Sequence, residues 1–388
     1  MKLTWLLLLT VLLVSAVCFP ILYVHNENKN GDSDDEFFFG VSFGGDTVSQ
    51  AKSLIDKVKG YTNFFLVNNW DISTNETALN EVVHYAVDAN LSTMVFFDFI
   101  PESYQWLQLW LETARDSWGN RFLGVYLYDE PGGKQLDEGQ WRSGPTAARL
   151  FENVSDYSDA ATRFTTAIPS TDMQKVKNSN LPVFTSDYAL YWFDYLAGYD
   201  TIFAHFGWNH SRTQHIALCR GAANVQDKDW GAIITWTYNE PPYIESGAQI
   251  LQDMITAYRT GAKYVVVFDF PYDQQFGILE EEHFAAMDAF WKMTLSSHEG
   301  GIEKVEVDVA FVLPKDYGWG MRTEEDKIWG VWQADADAPL IWENMNKLIE
   351  RYGLKLDIIY DDPQFSYLEK YSMVYYWNST MIESLYEN

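Results

Sequence analysis

A chain of 388 residues with 47% apolar and 16% aromatic content can bury a large core, which excludes a disordered protein and leaves room for one big domain and a small one. Its 55 acidic residues against 27 lysines and arginines give a formal charge of −28, which repels phosphate backbones and anionic surfaces and argues against nucleic acid as a partner.

Met1-Lys2 and then residues 3–24 without a charge satisfy the positive flank and apolar run of a secretory signal. About twenty apolar residues also suffice to span a bilayer. The run continues past Ser15-Ala16-Val17 through Phe19, which favours an uncleaved anchor over a removed signal. The expected location is extracellular or cell surface, with membrane contact through 1–24 if that segment is retained. Of the two cysteines, Cys18 lies in this segment, so the mature domain has only Cys219 and no internal disulfide. Sequons at Asn75, Asn90, Asn153, Asn209 and Asn378 are compatible with a glycoprotein. Residues 25–36 are polar or glycine and read as a tether.

From Phe37 onward, strand-length apolar runs at 37–43, 64–68, 94–98, 123–129, 183–188, 201–206, 232–237 and 264–270 alternate with helix-length segments, the pattern of parallel βα units. The intervening segments carry helical periodicity, as at Leu79, Val82, Val83 and Ala86. Residues 163–168 have strand-like composition, but Ala161, Phe164 and Ile168 fall at i, i+3 and i+7 behind the cap residues Ser158 and Asp159, which predicts a helix. The expectation is therefore an α/β fold, a (β/α)8 TIM barrel over 37–298. A small C-terminal α/β module over 299–388 follows, with strands at 309–313, 356–360 and 373–377 and a helix at 340–352. No Gly-rich phosphate loop follows its strands.

Two barrel strands end alike. Gly124-Val-Tyr-Leu-Tyr-Asp-Glu130 and Ile233-Ile-Thr-Trp-Thr-Tyr-Asn-Glu240 each run into a glutamate followed by proline. A carboxylate just past a barrel strand sits at the mouth, where active sites of this fold are built. Two carboxylates across the mouth are the minimum equipment for cleaving a glycosidic bond. One must be protonated to give a proton to the leaving oxygen, and the other ionised to attack or to activate water. A separation of about 5–5.5 Å implies retention of configuration, and roughly 6.5–9.5 Å implies inversion. Strand alternation keeps Asp129 and Glu130 from both pointing inward unless the following loop swings one of them. Each proline biases its glutamate to an extended backbone.

Other strand-end residues suit a sugar. Asp98, Asp129, His205, Asn239 and Asp269 can hydrogen-bond hydroxyls, as can Asn68 and Asp187, while Trp70, Tyr128, Trp236 and Tyr238 offer flat apolar faces with polar edges. The expected partner is an oligo- or polysaccharide. The seven histidines lack zinc-site spacings, no Gly-X-Ser-X-Gly elbow occurs, and Cys219 lies in a helical pattern, so neither a metal nor a cofactor is expected.

On these motifs residues 37–297 resemble the retaining glycoside hydrolases of the 4/7 superfamily, barrels with an acid/base glutamate after strand four and a nucleophilic glutamate after strand seven. The resemblance implies Glu130 as acid/base and Glu240 as nucleophile. The chain departs from that pattern at Asp129, where the group has Asn, and at Asn68-Asn69-Trp70, where it often has an Arg near the end of strand two. Two competing readings stand beside it. In one, Asp98 or Asp269 takes the place of Glu240; in the other, the chain is a non-catalytic carbohydrate-binding or cell-envelope protein on a barrel scaffold.

Overall fold

The structure is a computed structural model and describes residues 36–100, 104–141, 150–169, 171–272, 275–295 and 302–379. The apolar segment 1–24, nearly all of the tether and the division at 298/299 lie outside the described residues. Among the described residues no helix is long and apolar enough to cross a membrane.

Eight parallel strands close into a barrel: β1 (Phe38–Phe43), β2 (Phe64–Val67), β3 (Ser92–Phe97), β4 (Phe122–Leu127), β5 (Val183–Asp187), β6 (Thr201–Phe206), β7 (Asp229–Ile234) and β8 (Tyr264–Asp269). They are paired in sequence order and sealed by β8 against β1. The strands are largely apolar and nearly all buried because their inward faces meet the barrel core and their outward faces meet helices. The interior is filled largely by rings: Phe38, Phe64, Tyr126, Phe184, Phe203 and Tyr264 pack with Leu66, Met94, Ile233 and Val266. It is a plugged core, so chemistry is confined to the strand ends. Residues 163–168 are helical as expected, within Tyr157–Ala167 and its cap, Ile168.

Several strand bounds shift by one to three residues from those expected, and two of the shifts bear on the mouth. β7 begins and ends three residues earlier than 232–237, so Trp236, Thr237 and Tyr238 belong to the mouth. β4 stops at Leu127, leaving Tyr128-Asp129-Glu130 outside the pleat. Within β4, Gly124 has φ 148°, and a side chain there would meet the carbonyl of Pro182 at 2.4 Å. The register against β3 shifts at this point, a bulge that only glycine accommodates.

After the barrel, β9 (Val309–Leu313), β10 (Leu356–Tyr360) and β11 (Met373–Tyr376) form a parallel sheet of order β10-β9-β11. The amphipathic helix Ala338–Tyr352 buries Ile341, Met345 and Leu348 at helical spacing. This sheet docks on helix Arg212–Gln226, where the buried Arg220 meets the buried Asp357 of β10 at 2.8 Å. Asn224 and Tyr371 donate to the same carboxylate. Barrel and sheet belong to one compact unit, Phe38–Asn388.

Candidate active site

The ends of β4, β5 and β6 bring together one cluster of polar side chains. Tyr128 and Glu130 both adopt the left-handed conformation, at φ 59° and 54°. These two turns break the strand alternation on either side of Asp129, and both acids reach the same group of partners. Asp129 accepts from the Tyr126 hydroxyl at 2.6 Å and lies 3.4 Å from Ser186 Oγ. Glu130 Oε1 lies 3.5 Å from His205 Nδ1. The expectation of an extended glutamate before proline fails at Glu130. Its N–H is held by the Ser186 carbonyl at 3.0 Å, and Pro131 opens a helix at once, as proline at a first helical position does.

That helix, Pro131–Glu138, has no cap from its own leading residue. Asp187, at the end of β5, supplies one by accepting from the N–H groups of Gly132 at 2.6 Å and Gly133 at 2.9 Å, and from those of Tyr188 and Ala189. A side chain at Gly133 would collide with the Tyr188 ring at 2.1 Å; the glycine lets the helix end approach. Because Asp187 satisfies these donors, the Glu130 carboxyl is left for the mouth.

Burial pushes the Glu130 carboxyl up to about 8, the Asp129 charge adds to the rise, and Lys134 opposes it. The Glu130 side chain is nevertheless 27% exposed, so a solute can reach it. His205 is driven down to about 4, chiefly by burial. Burial raises Asp187 to about 7 against the pull of its four N–H partners. Asp194, buried beside it, is pushed well above the carboxyl range by burial and then by the Asp187 charge.

A pocket of about 380 Å³ opens here, lined by Asp98, Phe99, Tyr128, Asp129, Lys134, Glu138 and Trp141. Lys134 lies 3.8 Å from the Asp129 carboxylate. Asp98 and Phe99 are exposed, and Trp70 packs on Phe99 at 4.5 Å. Tyr128 is buried, with its hydroxyl turned to Asp172. At the ends of β7 and β8, Trp236 meets Tyr243, Phe268 and Phe270 within 6 Å. Tyr243 and Tyr272 stack at 4.4 Å, an aromatic wall suited to the apolar face of a sugar.

Not every expected residue joins the Glu130 cluster. Asn239 and Glu240 are exposed in a turn past β7, where the Glu240 carbonyl accepts from the Tyr243 N–H. The Glu240 carboxylate makes no hydrogen bond or ion pair to a described residue. Tyr238 donates to Glu245. Asp269 is buried and accepts from the Ile278 N–H at 3.2 Å, and burial raises it to about 8. Asn68 donates to Ser42. Sequence reasoning missed Tyr126, Ser186 and Lys134; the polar Thr185-Ser186-Asp187 ending of an otherwise apolar strand was the available signal. Among the described residues no three His, Cys, Asp or Glu are grouped to hold a metal ion.

Fold and strand-end cluster together define a (β/α)8 barrel with an acid-rich, aromatic-walled mouth. No family model matches the chain, and no curated protein matches it. Among solved structures it is similar to GH5_18 from Streptomyces cattleya in complex with GlcNAc, at 13% identity over 89% of this chain and 99% of that one, with a TM-score of 0.54. It is also similar to a catalytic mutant of Gan42B, a GH42 beta-galactosidase from G. stearothermophilus, at 11% identity over 89% of this chain and 68% of that one, TM-score 0.54. A GH5_18 variant from Bifidobacterium longum in complex with Manb1-4GlcNAc matches at 10% identity over 89% and 96% of the two chains, TM-score 0.51. At these identities the likeness is one of fold.

Proposed function

We propose that the protein is a glycoside hydrolase in which Glu130 is the general acid. The observation that carries this reading is a partly exposed glutamic acid at the end of β4, raised to about 8 and so protonated at neutral pH. A group of that kind can hand a proton to a leaving glycosidic oxygen. The aromatic wall of Trp236, Tyr243 and Tyr272 supplies the stacking face for a sugar, and the substrate is an oligo- or polysaccharide. Glu240, on the turn that carries Tyr243, is the second carboxylate and nucleophile of this scheme. Its exposure favours keeping Asp98, which lines the pocket beside Asp129, as the substitute, and the non-catalytic sugar-binding protein as the competing reading. The uncharged segment 3–24 supports a place outside the cell for this activity, tethered to the membrane if that segment is retained.

Glu130→Gln and Glu240→Gln variants, assayed on a panel of aryl glycosides, test the assignment. Glu130→Gln is expected to lower kcat by about 10²–10⁴-fold, most steeply on poor leaving groups, which need the proton. Loss in Glu240→Gln identifies the second carboxylate. Full activity in Glu240→Gln moves that role to Asp98 or Asp269, and full activity in Glu130→Gln removes the proposed mechanism.

A further inference from the structure

We propose that Asp129, Tyr126, Ser186 and His205 form a hydrogen-bonded chain of fixed polarity that turns the lone pair of His205 Nδ1 onto Glu130 and so holds Glu130 as the protonated acid. The inference rests on the reading of Glu130 as proton donor and deepens it, assigning Tyr126, Ser186 and His205 as positioning residues.

Proton counting carries the argument. Three successive contacts are each 2.6 Å: Asp129 Oδ1 to Tyr126 Oη, Tyr126 Oη to Ser186 Oγ, and Ser186 Oγ to His205 Nε2. Each contact that short contains one proton. A carboxylate only accepts, and a phenol and a serine hydroxyl each own a single proton. The Tyr126 proton therefore lies on the bond to Asp129. The Ser186 proton must then fill the bond to Tyr126, and the remaining contact is filled by a proton on His205 Nε2. The longer approach of Ser186 Oγ to Asp129, 3.4 Å, leaves the same polarity, because in that arrangement too the serine donates away from the histidine.

His205 is buried, with a side chain 6% exposed, and burial disfavours the imidazolium. A neutral ring protonated at Nε2 has a bare lone pair at Nδ1. That atom is buried without a hydrogen bond and faces Glu130 Oε1 at 3.5 Å. A lone pair repels an ionised carboxylate and accepts from a protonated one, so the chain favours the acid form. The charges around Glu130 divide: Asp129, Asp187 and Asp137 favour its protonated form, and Lys134 opposes them. The Tyr188 ring, 5.9 Å from that of His205, and His210 behind it complete the surroundings.

The test needs no turnover, so its failure is distinct from absence of glycosidase activity. In the full chain with labelled histidine and glutamate, nitrogen shifts report the His205 tautomer and the carboxyl carbon reports the Glu130 titration. The wild type is expected to show His205 protonated at Nε2. Ser186→Ala cuts the chain, and Asp129→Ala removes its terminal acceptor. Each frees His205 to protonate at Nδ1 and donate to an ionised Glu130. In Ser186→Ala, which leaves the Asp129 charge in place, this alone lowers the Glu130 midpoint by about one pH unit or more. In Asp129→Ala, which also removes a charge that raises Glu130, the tautomer is the deciding signal. Ser186→Thr, which keeps a hydroxyl, is expected to restore both signals. A wild-type His205 protonated at Nδ1 overturns the proposal, as does an unchanged tautomer or Glu130 midpoint in whichever of the two alanine variants folds.

Discussion

At the scale of single residues, the mouth is built from conformations and protonation states that cost stability. Tyr128 and Glu130 are held in the left-handed region, at roughly 1–2 kcal/mol each for residues other than glycine. The return is that Asp129 and Glu130 both face the Ser186 and His205 side chains, which a regular strand forbids. Protonation gives a testable sign. Glu130, Asp187 and Asp269 are raised to about 8, 7 and 8 from ordinary values near 4, mainly by burial. Their folded forms keep protons that the unfolded chain has lost, so their contribution is complete at acid pH and disappears as pH rises through those values. His205, His210 and His215 are lowered from 6.5 by burial, and this works in the opposite direction only below about 6.5. The thermal midpoint is therefore expected to fall between pH 6.5 and 8. Calorimetry across that window checks it, and a rising midpoint contradicts the buried, protonated carboxyls. Glu130 was legible in the sequence because a polar residue interrupts an apolar run. Tyr126 was not, because an aromatic inside a strand reads as core until its hydroxyl is seen to reach Asp129.

At the scale of elements, the helix after Glu130 is held from two sides. Asp187 binds its first amides, and the C-terminal segment braces it through Arg322 to Asp137 at 2.6 Å and through Gln135 to the Trp329 carbonyl. The docking of the C-terminal sheet itself depends on the buried Arg220 and Asp357 pair. Removing one partner strands the other charge, so Asp357→Ala is expected to cost about 3–5 kcal/mol, measured by denaturant unfolding. Gly221 is a second point of contact, since a side chain there would meet the Ile358 carbonyl at 2.7 Å. The expected strands all formed, but β7 slid by three residues. Trp236 extends an apolar run in the sequence, yet its ring packs into the mouth wall instead of the barrel. Periodicity cannot separate those two fates, because both bury the same kind of surface.

At the scale of the whole molecule, a net charge of −28 means the folded chain repels itself more than the expanded one. Raising sodium chloride from about 0.05 to about 0.5 M shortens the screening length and is expected to raise the thermal midpoint by several degrees. A falling midpoint would assign the acids to favourable ion pairs instead. The sequence by itself determined the eightfold alternation, the C-terminal α/β unit and a glutamate at the end of the fourth strand. These are written in local hydrophobic period and in breaks of that period. Only the tertiary structure decided which acids share a site. Asp129, Glu130, Ser186 and His205 come from three strands and as many as 76 residues apart in number, and a local pattern has no term for contacts made by barrel closure. The two glutamates that looked equivalent in sequence thereby acquired different surroundings, one enclosed by β4, β5 and β6, the other exposed on a turn beside Tyr243.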